Sequence, residues 1–447
     1  MPAWRACNVS YATPVIAVMR HALAVLVLSL TSALQAQSPS PGSEGRIADL
    51  KFFRAEFMAR DKSYSAEARR KAETRLAKLD SEAPGMSQVA FDLELGRIVA
   101  LADNGHTAYF ASTRSWRKNR VPIRFVPFGE EFFVLHTDSA NQDLVGARVD
   151  AIDDRSIGQF VATARMLSGG TNAWRDHSVP YFLESPEQMY ALKQGKEAGQ
   201  ATYRFTLPGG KKIERTLVAT VDSAANPWPG RWLYDQPNAV WAFQQQGTPF
   251  RWRDAPEIDG MVIELRQTYN APDLPIRKFL DSMTAQIQQR RPRNIVIDMR
   301  MNGGGDLNTA RDFMKSIPTL VPGRIFALTS PWTFSAAISS TGYLKQAGTD
   351  RVTIVGETVG DRLEFFSEGR TITLPNSGGI ILYATERHDY KTGCKGFTDC
   401  HGPVVRNPIA VPTLEPDIKA PWTIDAWLGG RDPGMDAVIK ALKGLKA

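Results

Sequence analysis

The segment IVIDMRMNGGGD, residues 295–306, is an apolar strand that runs directly into three consecutive glycines. Glycines at a strand-to-helix turn let the backbone approach another group closely and direct N–H groups outward. The turn lacks the Lys-Ser/Thr of a phosphate-binding loop and the Gly-x-Gly-x-x-Gly spacing of a dinucleotide site. Two interpretations remain, a tight structural turn or an oxyanion site for acyl transfer built from backbone N–H groups.

Strands and helices alternate on both sides of this segment. The apolar patterns predict strands at 261–265, 294–299, 324–329 and 352–355, and helices at 275–289, 307–317 and 335–346. Such alternation favours right-handed crossovers and a largely parallel sheet, so residues 259–445 are predicted to form an α/β domain.

The residues upstream divide into three regions of different character. Apolar residues at helical spacing predict a helical region over 46–118, and short β-rich runs with Gly and Asp turns predict a β-rich domain over 119–222. Residues 223–258 are rich in Trp, Pro and Gln, which is typical of a connector between domains.

The composition is that of an ordinary globular protein. The chain has 447 residues, of which 43% are hydrophobic and 23% charged, and its formal net charge is +7. These values exclude collagen-like, coiled-coil and wholly disordered chains. No long Lys/Arg run or basic stripe with aromatics is present, so the positive charge does not indicate a nucleic-acid partner.

The first 36 residues read as a signal peptide. Met19-Arg20-His21 precedes an apolar run of about a dozen residues and small residues ending near Ala36, and Met19 is a candidate for the true start. The apolar run is shorter than the ~20 residues of a membrane span. Cleavage predicts a periplasmic or secreted protein with no stable membrane span, and the alternative is a retained anchor.

Two cysteines remain after this leader. Cys394 and Cys400 are six residues apart in a polar loop, and an even pair in an exported chain favours a disulfide. A zinc site is the alternative, since His388 and His401 lie nearby. It is less favoured because a metal site needs further ligands. No metal or other cofactor is therefore expected.

Ser335 follows a predicted strand and a Pro-containing turn, and it opens a helix of small residues. Serine at this position most often caps the helix. A nucleophile would also suit the place, because the Ala336 N–H would point at a developing oxyanion. The sequence is not a Gly-x-Ser-x-Gly elbow, so an α/β-hydrolase is not indicated.

A base for such a serine can be sought among only six histidines. His21 lies in the leader, His136 and His177 fit core or surface roles, and His388 and His401 flank the cysteine loop. His106 stands at a Gly-bearing turn after the N-terminal helices. A histidine there is either incidental or a candidate general base.

Six motifs in this order resemble serine peptidases of the tail-specific (C-terminal processing) and tricorn-core type. The resemblance covers about residues 50–445, and its motifs are DNGHT (103–107), DLVGARVDAID (143–153), IDMRMNGGG (297–305), SAA (335–337), IVGETVG (354–360) and LEPDI (414–418). It implies a crotonase-like (ClpP-like) peptidase core preceded by a helical cap and a PDZ-like domain. It also implies Ser335 as nucleophile, with an oxyanion hole formed by Ala336 and by the Gly304–Gly305 turn.

The chain departs from the family pattern at the base. The processing branch has a Lys after the Val-Gly-Glu turn, where this chain has Asp361-Arg362. Arginine stays protonated, and Lys345 is expected to point elsewhere. The tricorn-like branch instead uses a His from the region of His106, together with a Glu that orients it.

The position that matches this orienting Glu is near Ala410, which is not acidic. Glu368, Glu386 and Glu415 are the candidates for the role, and Glu368 is preferred because it follows the strand and turn nearest the nucleophile in the family pattern.

These residues are compatible with three functions. The first is an exported serine peptidase acting on peptides or unfolded proteins through a Ser335 acyl-enzyme, with His106 as the general base. The second is a catalytically silent peptide-binding or scaffolding protein on the same fold. The third is a crotonase-type acyl-CoA enzyme, which export disfavours because CoA is cytoplasmic.

Overall fold

A six-stranded sheet forms the centre of the C-terminal half of the chain. In the computed structural model, which describes residues 42–110, 119–221, 239–245 and 247–444, its strands lie in the order Phe250–Ala255, Gly260–Leu265, Asn294–Asp298, Ile325–Thr329, Val352–Gly356 and Ile418–Lys419. The first pair is antiparallel and the others are parallel. The predicted α/β alternation is thereby confirmed, while the predicted signal peptide lies outside the described residues.

Helices cover both faces of this sheet, because side chains alternate between the two faces along each strand. The helices Ile276–Arg290, Leu307–Leu320 and Ala336–Gly348 share one core with Ile263 and Ile297. The helix Pro433–Gly444 packs on the opposite face, where Met435 and Val438 join strand residues such as Val262 and Val296. The predicted helices at 275–289, 307–317 and 335–346 are confirmed within a few residues at their ends.

The strand Phe250–Ala255 corrects the prediction that 223–258 is a connector throughout. It pairs in register with Gly260–Leu265, from Phe250 opposite Leu265 to Ala255 opposite Gly260. Only Phe250, Trp252 and Ala255 of its six residues are apolar, so the strand lacks the continuous apolar run of the central strands. Residues 222–238 lie outside the described part of the chain.

The N-terminal helices are attached to the C-terminal half by a small sheet. The helices are Ser43–Phe52, Ala66–Glu82 and Gln88–Ala100, with a π-helical turn at Phe53–Met58 and a 3-10 turn at Ala83–Gly85. The strand Ala108–Tyr109 pairs with Ile380–Leu382, which in turn pairs with Thr371–Thr373. Tyr109, Leu374 and Ile381 share a core with the helices, so this pairing fixes the chain on both sides of His106.

The region 119–222 contains a second sheet, in which every pair of described strands is antiparallel. Its strands are Ile123–Phe128, Glu131–Thr137, Arg148–Ile152, Gln200–Thr206 and Lys212–Val218, with Arg155–Ser156 beside the third. The helices between its strands are Ile157–Arg165, Asn172–Asp176, Val179–Leu183 and Pro186–Ala191. Asn119–Arg120 pairs separately with Thr220–Val221.

The remaining elements surround the loop of the two cysteines. Glu364–Ser367 pairs with Glu386–Asp389, and the short helices Gly402–Arg406 and Ile424–Leu428 follow. A disulfide joins Cys394 to Cys400. No helix among the described residues has the length and apolarity needed to cross a bilayer.

Candidate active site

Ser335 occupies a strained turn at the start of the helix Ala336–Gly348. Its backbone has φ 55° and ψ −126°, a conformation that costs a non-glycine residue about 1–3 kcal/mol and persists only where the surroundings enforce it. Its side chain makes no capping hydrogen bond, and in the described part of the chain its hydroxyl has no other partner. The helix-cap interpretation of Ser335 therefore does not hold, and a half-buried hydroxyl is left available.

The turn is held by hydrogen bonds to the end of the strand Asn294–Asp298. Ser330 Oγ donates to the Arg300 carbonyl at 2.5 Å, and Thr333 Oγ1 donates to the Met299 carbonyl at 2.9 Å. The Phe334 N–H donates to the Asn302 carbonyl at 3.0 Å. These bonds fix three of the five residues before the serine to the segment that leads into the glycines.

Gly304 allows the two segments to come together. Its φ is +100°, and a Cβ built on it would lie 2.5 Å from Ser335 Cβ and 3.0 Å from the Ala336 nitrogen. Only a residue without a side chain fits this position without displacing the serine.

The predicted role of Gly304 as an oxyanion donor needs correction. Its N–H donates to Asn302 Oδ1 at 2.9 Å, which closes a local turn and occupies the donor. The amide side chain of Asn302, which the sequence did not single out, therefore determines which N–H groups remain free. In this structure, Gly304 instead allows the backbone to approach Ser335 closely.

Two other predicted donors remain. The Ala336 N–H opens its helix, where the first amide groups have no partner within the helix. The Gly305 N–H likewise has no acceptor among the described residues. Gly305 has φ +141°, and its Cα lies against the Thr268 backbone. Among the described residues, the N–H groups of Ala336 and Gly305 therefore lie in the segments that meet at Ser335 and have no hydrogen-bond acceptor.

His106 lies beside the serine turn, stacked between two phenylalanine rings. Its ring centroid is 4.3 Å from that of Phe334, the residue before Ser335, and 5.0 Å from that of Phe365. The structure thus brings His106 next to the serine turn, across more than two hundred residues of sequence. Within the described part of the chain, neither ring nitrogen of His106 has a hydrogen-bond partner, so the ring makes no hydrogen bond to Ser335 here.

The turn that carries His106 is tied to the C-terminal half by polar contacts. The Asn104 side chain exchanges two hydrogen bonds of 3.0 Å with the Phe366 backbone. The Arg362 guanidinium donates to the carbonyl and carboxylate of Asp103, and Thr107 Oγ1 donates to the buried Asp61. The position of the imidazole is therefore determined by both halves of the chain.

Asp361 is the carboxylate that faces His106. Its Oδ2 lies 3.6 Å from His106 Nδ1, and the two side chains are 1% and 10% exposed. This distance is too long for a hydrogen bond, and Oδ2 has no other hydrogen-bond partner. In the sequence, Asp361 stands where the processing branch has its lysine, and no spacing there indicates a contact with His106.

Glu368, the predicted orienting acid, has different direct partners. Its Oε1 lies 3.2 Å from His388 Nε2 and 3.9 Å from His401 Nε2. The hydrogen bond to His388 lowers the pKa of the Glu368 carboxyl, and burial lowers that of His388. The carboxylate that lies beside His106 is that of Asp361 and not that of Glu368.

The remaining sequence candidates lie in other contacts. Lys345 donates to the Val352 carbonyl at 2.7 Å and pairs with Asp417, away from Ser335 as expected. Glu386 Oε2 lies 2.7 Å from His401 Nδ1. Glu415 accepts a hydrogen bond from Thr358. None of these residues contacts His106.

A cavity of about 280 Å³ adjoins the serine turn on its N-terminal side. Ser330, Pro331 and Trp332 form one wall, and His177 and Trp422 contribute to the others. His177 stacks on Trp332 with ring centroids 3.9 Å apart, and burial lowers its pKa to about 3, so the imidazole is uncharged at neutral pH. The cavity lies next to Ser335 but does not include it.

The comparisons with known proteins identify relatives of the fold only. No family model matches the chain, and no curated protein matches it. Mature CPAF in complex with lactacystin aligns with a TM-score of 0.59 at 12% identity, over 90% of this chain and 98% of that one. Mature CPAF aligns with a TM-score of 0.57 at 12% identity, over 90% and 97%. At this identity, the likeness establishes a common fold.

The photosystem II D1 C-terminal processing protease also aligns, at 12% identity over 90% of this chain and 97% of that one. Its TM-score of 0.39 is too low to support an argument.

The close approach at Gly304 generates a stability prediction with a matched control. We expect Gly304→Ala to lower the free energy of unfolding by at least about 1–2 kcal/mol, because alanine is strained at positive φ and its Cβ meets the serine. Gly303→Ala should be nearly neutral, since a Cβ there meets nothing within 4 Å. Urea unfolding followed by circular dichroism measures both variants, and equal stability would refute the tight contact.

Proposed function

We propose that this chain is an exported serine-type peptidase of the tail-specific and tricorn-core type. The observation that carries the proposal is the Ser335 turn, where an unpartnered hydroxyl at positive φ lies beside the free N–H of Ala336. The fold shared with mature CPAF, which was solved in complex with lactacystin, supports it. The ordered sequence motifs that include Ser335 and His106 point to the same activity.

The proposed reaction proceeds through an acyl-enzyme. Ser335 Oγ attacks the peptide carbonyl carbon while His106 accepts the hydroxyl proton. The Ala336 and Gly305 N–H groups bind the oxyanion of the tetrahedral intermediate. The C–N bond then breaks, and His106 returns the proton to the leaving amine. Water attacks the ester with His106 again as base, which releases the second product and restores the serine.

The proposed proton transfer requires a small adjustment of His106. Its ring nitrogens have no hydrogen-bond partner, and catalytic hydrogen bonds are often long before substrate binds. The ring is held between Phe334 and Phe365, so sliding within this stack keeps it beside the serine. Asp361 Oδ2, which has no hydrogen-bond partner, is the group that would stabilise the imidazolium formed in this step.

The rest of the proposal concerns substrate and location. We assign residues 259–445 to a crotonase-like core, 119–222 to a PDZ-like domain and 46–118 to a helical cap. An exposed sheet edge in a PDZ-like domain binds an extended peptide by strand addition, so the substrates are peptides or unfolded proteins. The predicted signal peptide supports periplasmic or secreted location.

A catalytically silent peptide-binding protein is the alternative function. The observations that favour it are the unbonded ring nitrogens of His106 and the occupied N–H of Gly304. A protein of this kind would bind peptides equally well with Ser335→Ala or His106→Ala and would turn none of them over. Comparing the affinity of one peptide for the three proteins, together with its cleavage, separates the two functions.

A fluorophosphonate probe tests the nucleophile. We expect the full chain to be labelled at neutral pH and Ser335→Ala to lose labelling, because the probe reacts with an activated serine. Ser81→Ala, on an exposed part of the helix Ala66–Glu82, should label as the unmodified chain does. Labelling that persists in Ser335→Ala would remove Ser335 from this role.

A pair of carboxylate variants tests which acid orients His106. We expect Asp361→Asn to slow peptide cleavage by about 10²–10⁴-fold, as loss of the carboxylate behind a catalytic histidine does. Glu368→Gln should slow cleavage by less than about tenfold, because its contacts are with His388 and His401. The measurement is kcat and KM on one fluorogenic peptide. The opposite order of the two effects would return the role to Glu368.

A further inference from the structure

Glu368, His388 and His401 form a cluster of metal-ligating side chains away from the proposed reaction path. One potential ligand atom from each lies within 4.8 Å of the other two. Glu368 Oε1 is 3.2 Å from His388 Nε2 and 3.9 Å from His401 Nε2. Ligands bound tetrahedrally to zinc at about 2.05 Å are roughly 3.3 Å apart, so little movement would bring these three around one ion.

The other ring nitrogen of each histidine already has a partner. His388 Nδ1 lies 2.9 Å from the Tyr390 hydroxyl, which contacts Ser339 Oγ at 2.6 Å. His401 Nδ1 lies 2.7 Å from Glu386 Oε2. Metal-binding histidines typically donate their second N–H to such a group, which fixes the tautomer and the ring orientation. Both Nε2 atoms are therefore the ones turned toward Glu368.

Three separate segments hold the ligands in place. Glu368, at φ +61°, follows the strand Glu364–Ser367, which pairs with the strand containing His388. The His401 N–H donates to the Arg387 carbonyl at 2.9 Å, and the disulfide to Cys394 fixes the preceding Cys400. The ligands thus belong to a paired strand and a cross-linked loop, a preorganised arrangement.

We propose that Glu368, His388 and His401 bind one Zn²⁺ or a similar divalent transition-metal ion. Two imidazoles and one carboxylate suit zinc better than calcium or magnesium, which prefer oxygen ligands. The Glu368 side chain is 36% exposed and His388 only 3%, so the fourth position opens to solvent on the carboxylate side and takes water. The metal would bind neutral His388 at Nε2 with the single ring hydrogen on Nδ1, where the Tyr390 hydroxyl can accept it, so the ring stays uncharged and no proton has to be lost from it.

The ring of Phe365 separates the site from His106. It stacks on His106 on one side and on His388 on the other. The ion would cross-link the cysteine loop to the strand pair and take no part in acyl transfer. Zinc binding is measured without a peptide substrate. Failure of the metal-site proposal can therefore be told apart from failure of the peptidase proposal.

Calorimetric titration of the untagged full chain with ZnCl₂ tests the proposal. We expect one saturable Zn²⁺ per chain and a thermal midpoint that rises with Zn²⁺, because an ion that binds only the folded state stabilises it. His401→Gln and Glu368→Gln should each weaken binding by about 100-fold or more, and Glu386→Gln by about 10–100-fold. Glu197→Gln, in the second sheet region, is the matched control and should bind as the unmodified chain does.

Circular dichroism establishes whether each variant is folded. If one of the two ligand variants does not fold, the other still tests the metal site. The visible spectrum of bound Co²⁺ should report tetrahedral coordination in the unmodified chain and change in both ligand variants. Absence of saturable Zn²⁺ binding to the unmodified chain, or binding to folded His401→Gln or Glu368→Gln that is as tight as to the unmodified chain, would overturn the proposal.

Discussion

The contact between the Gly304 backbone and Ser335 is the constraint on which the rest of the site depends. Gly304 has no side chain where a Cβ would lie 2.5 Å from Ser335 Cβ. The serine can therefore adopt its strained φ of 55° against the strand end, held there by hydrogen bonds from Ser330, Thr333 and Phe334. Among the described residues, these contacts leave the Ser335 hydroxyl and the Ala336 N–H without hydrogen-bond partners at one place.

The second requirement is that an imidazole from the N-terminal region reaches this turn. Pairing of Ala108–Tyr109 with Ile380–Leu382 and the Asn104 contacts to Phe366 bring the segment of His106 to the C-terminal half. A continuous series of stacked rings then runs through Trp174, Phe334, His106, Phe365 and His388. Buried aromatic rings thus fix the plane of His106, while the buried Asp361 supplies the nearby charge.

Features that depend on local sequence were predictable, and those that depend on long-range packing were not. The central strands, the glycine turn and the helix start at Ser335 follow from apolar periodicity and from residue types that suit each position. The occupied Gly304 N–H depends on the conformation of the Asn302 side chain, which no spacing encodes. The contacts of His106 with Asp361, and of Glu368 with His388 and His401, join segments that only the folded chain brings together.

A crystal structure of the protein after reaction with a peptidyl phosphonate would test the central claim most directly. The account predicts a bond from phosphorus to Ser335 Oγ, a phosphonyl oxygen about 3 Å from the Ala336 and Gly305 N–H groups, and His106 within hydrogen-bonding distance of the adduct. A phosphonate attached to another side chain, or one whose oxygen points away from both N–H groups, would contradict it.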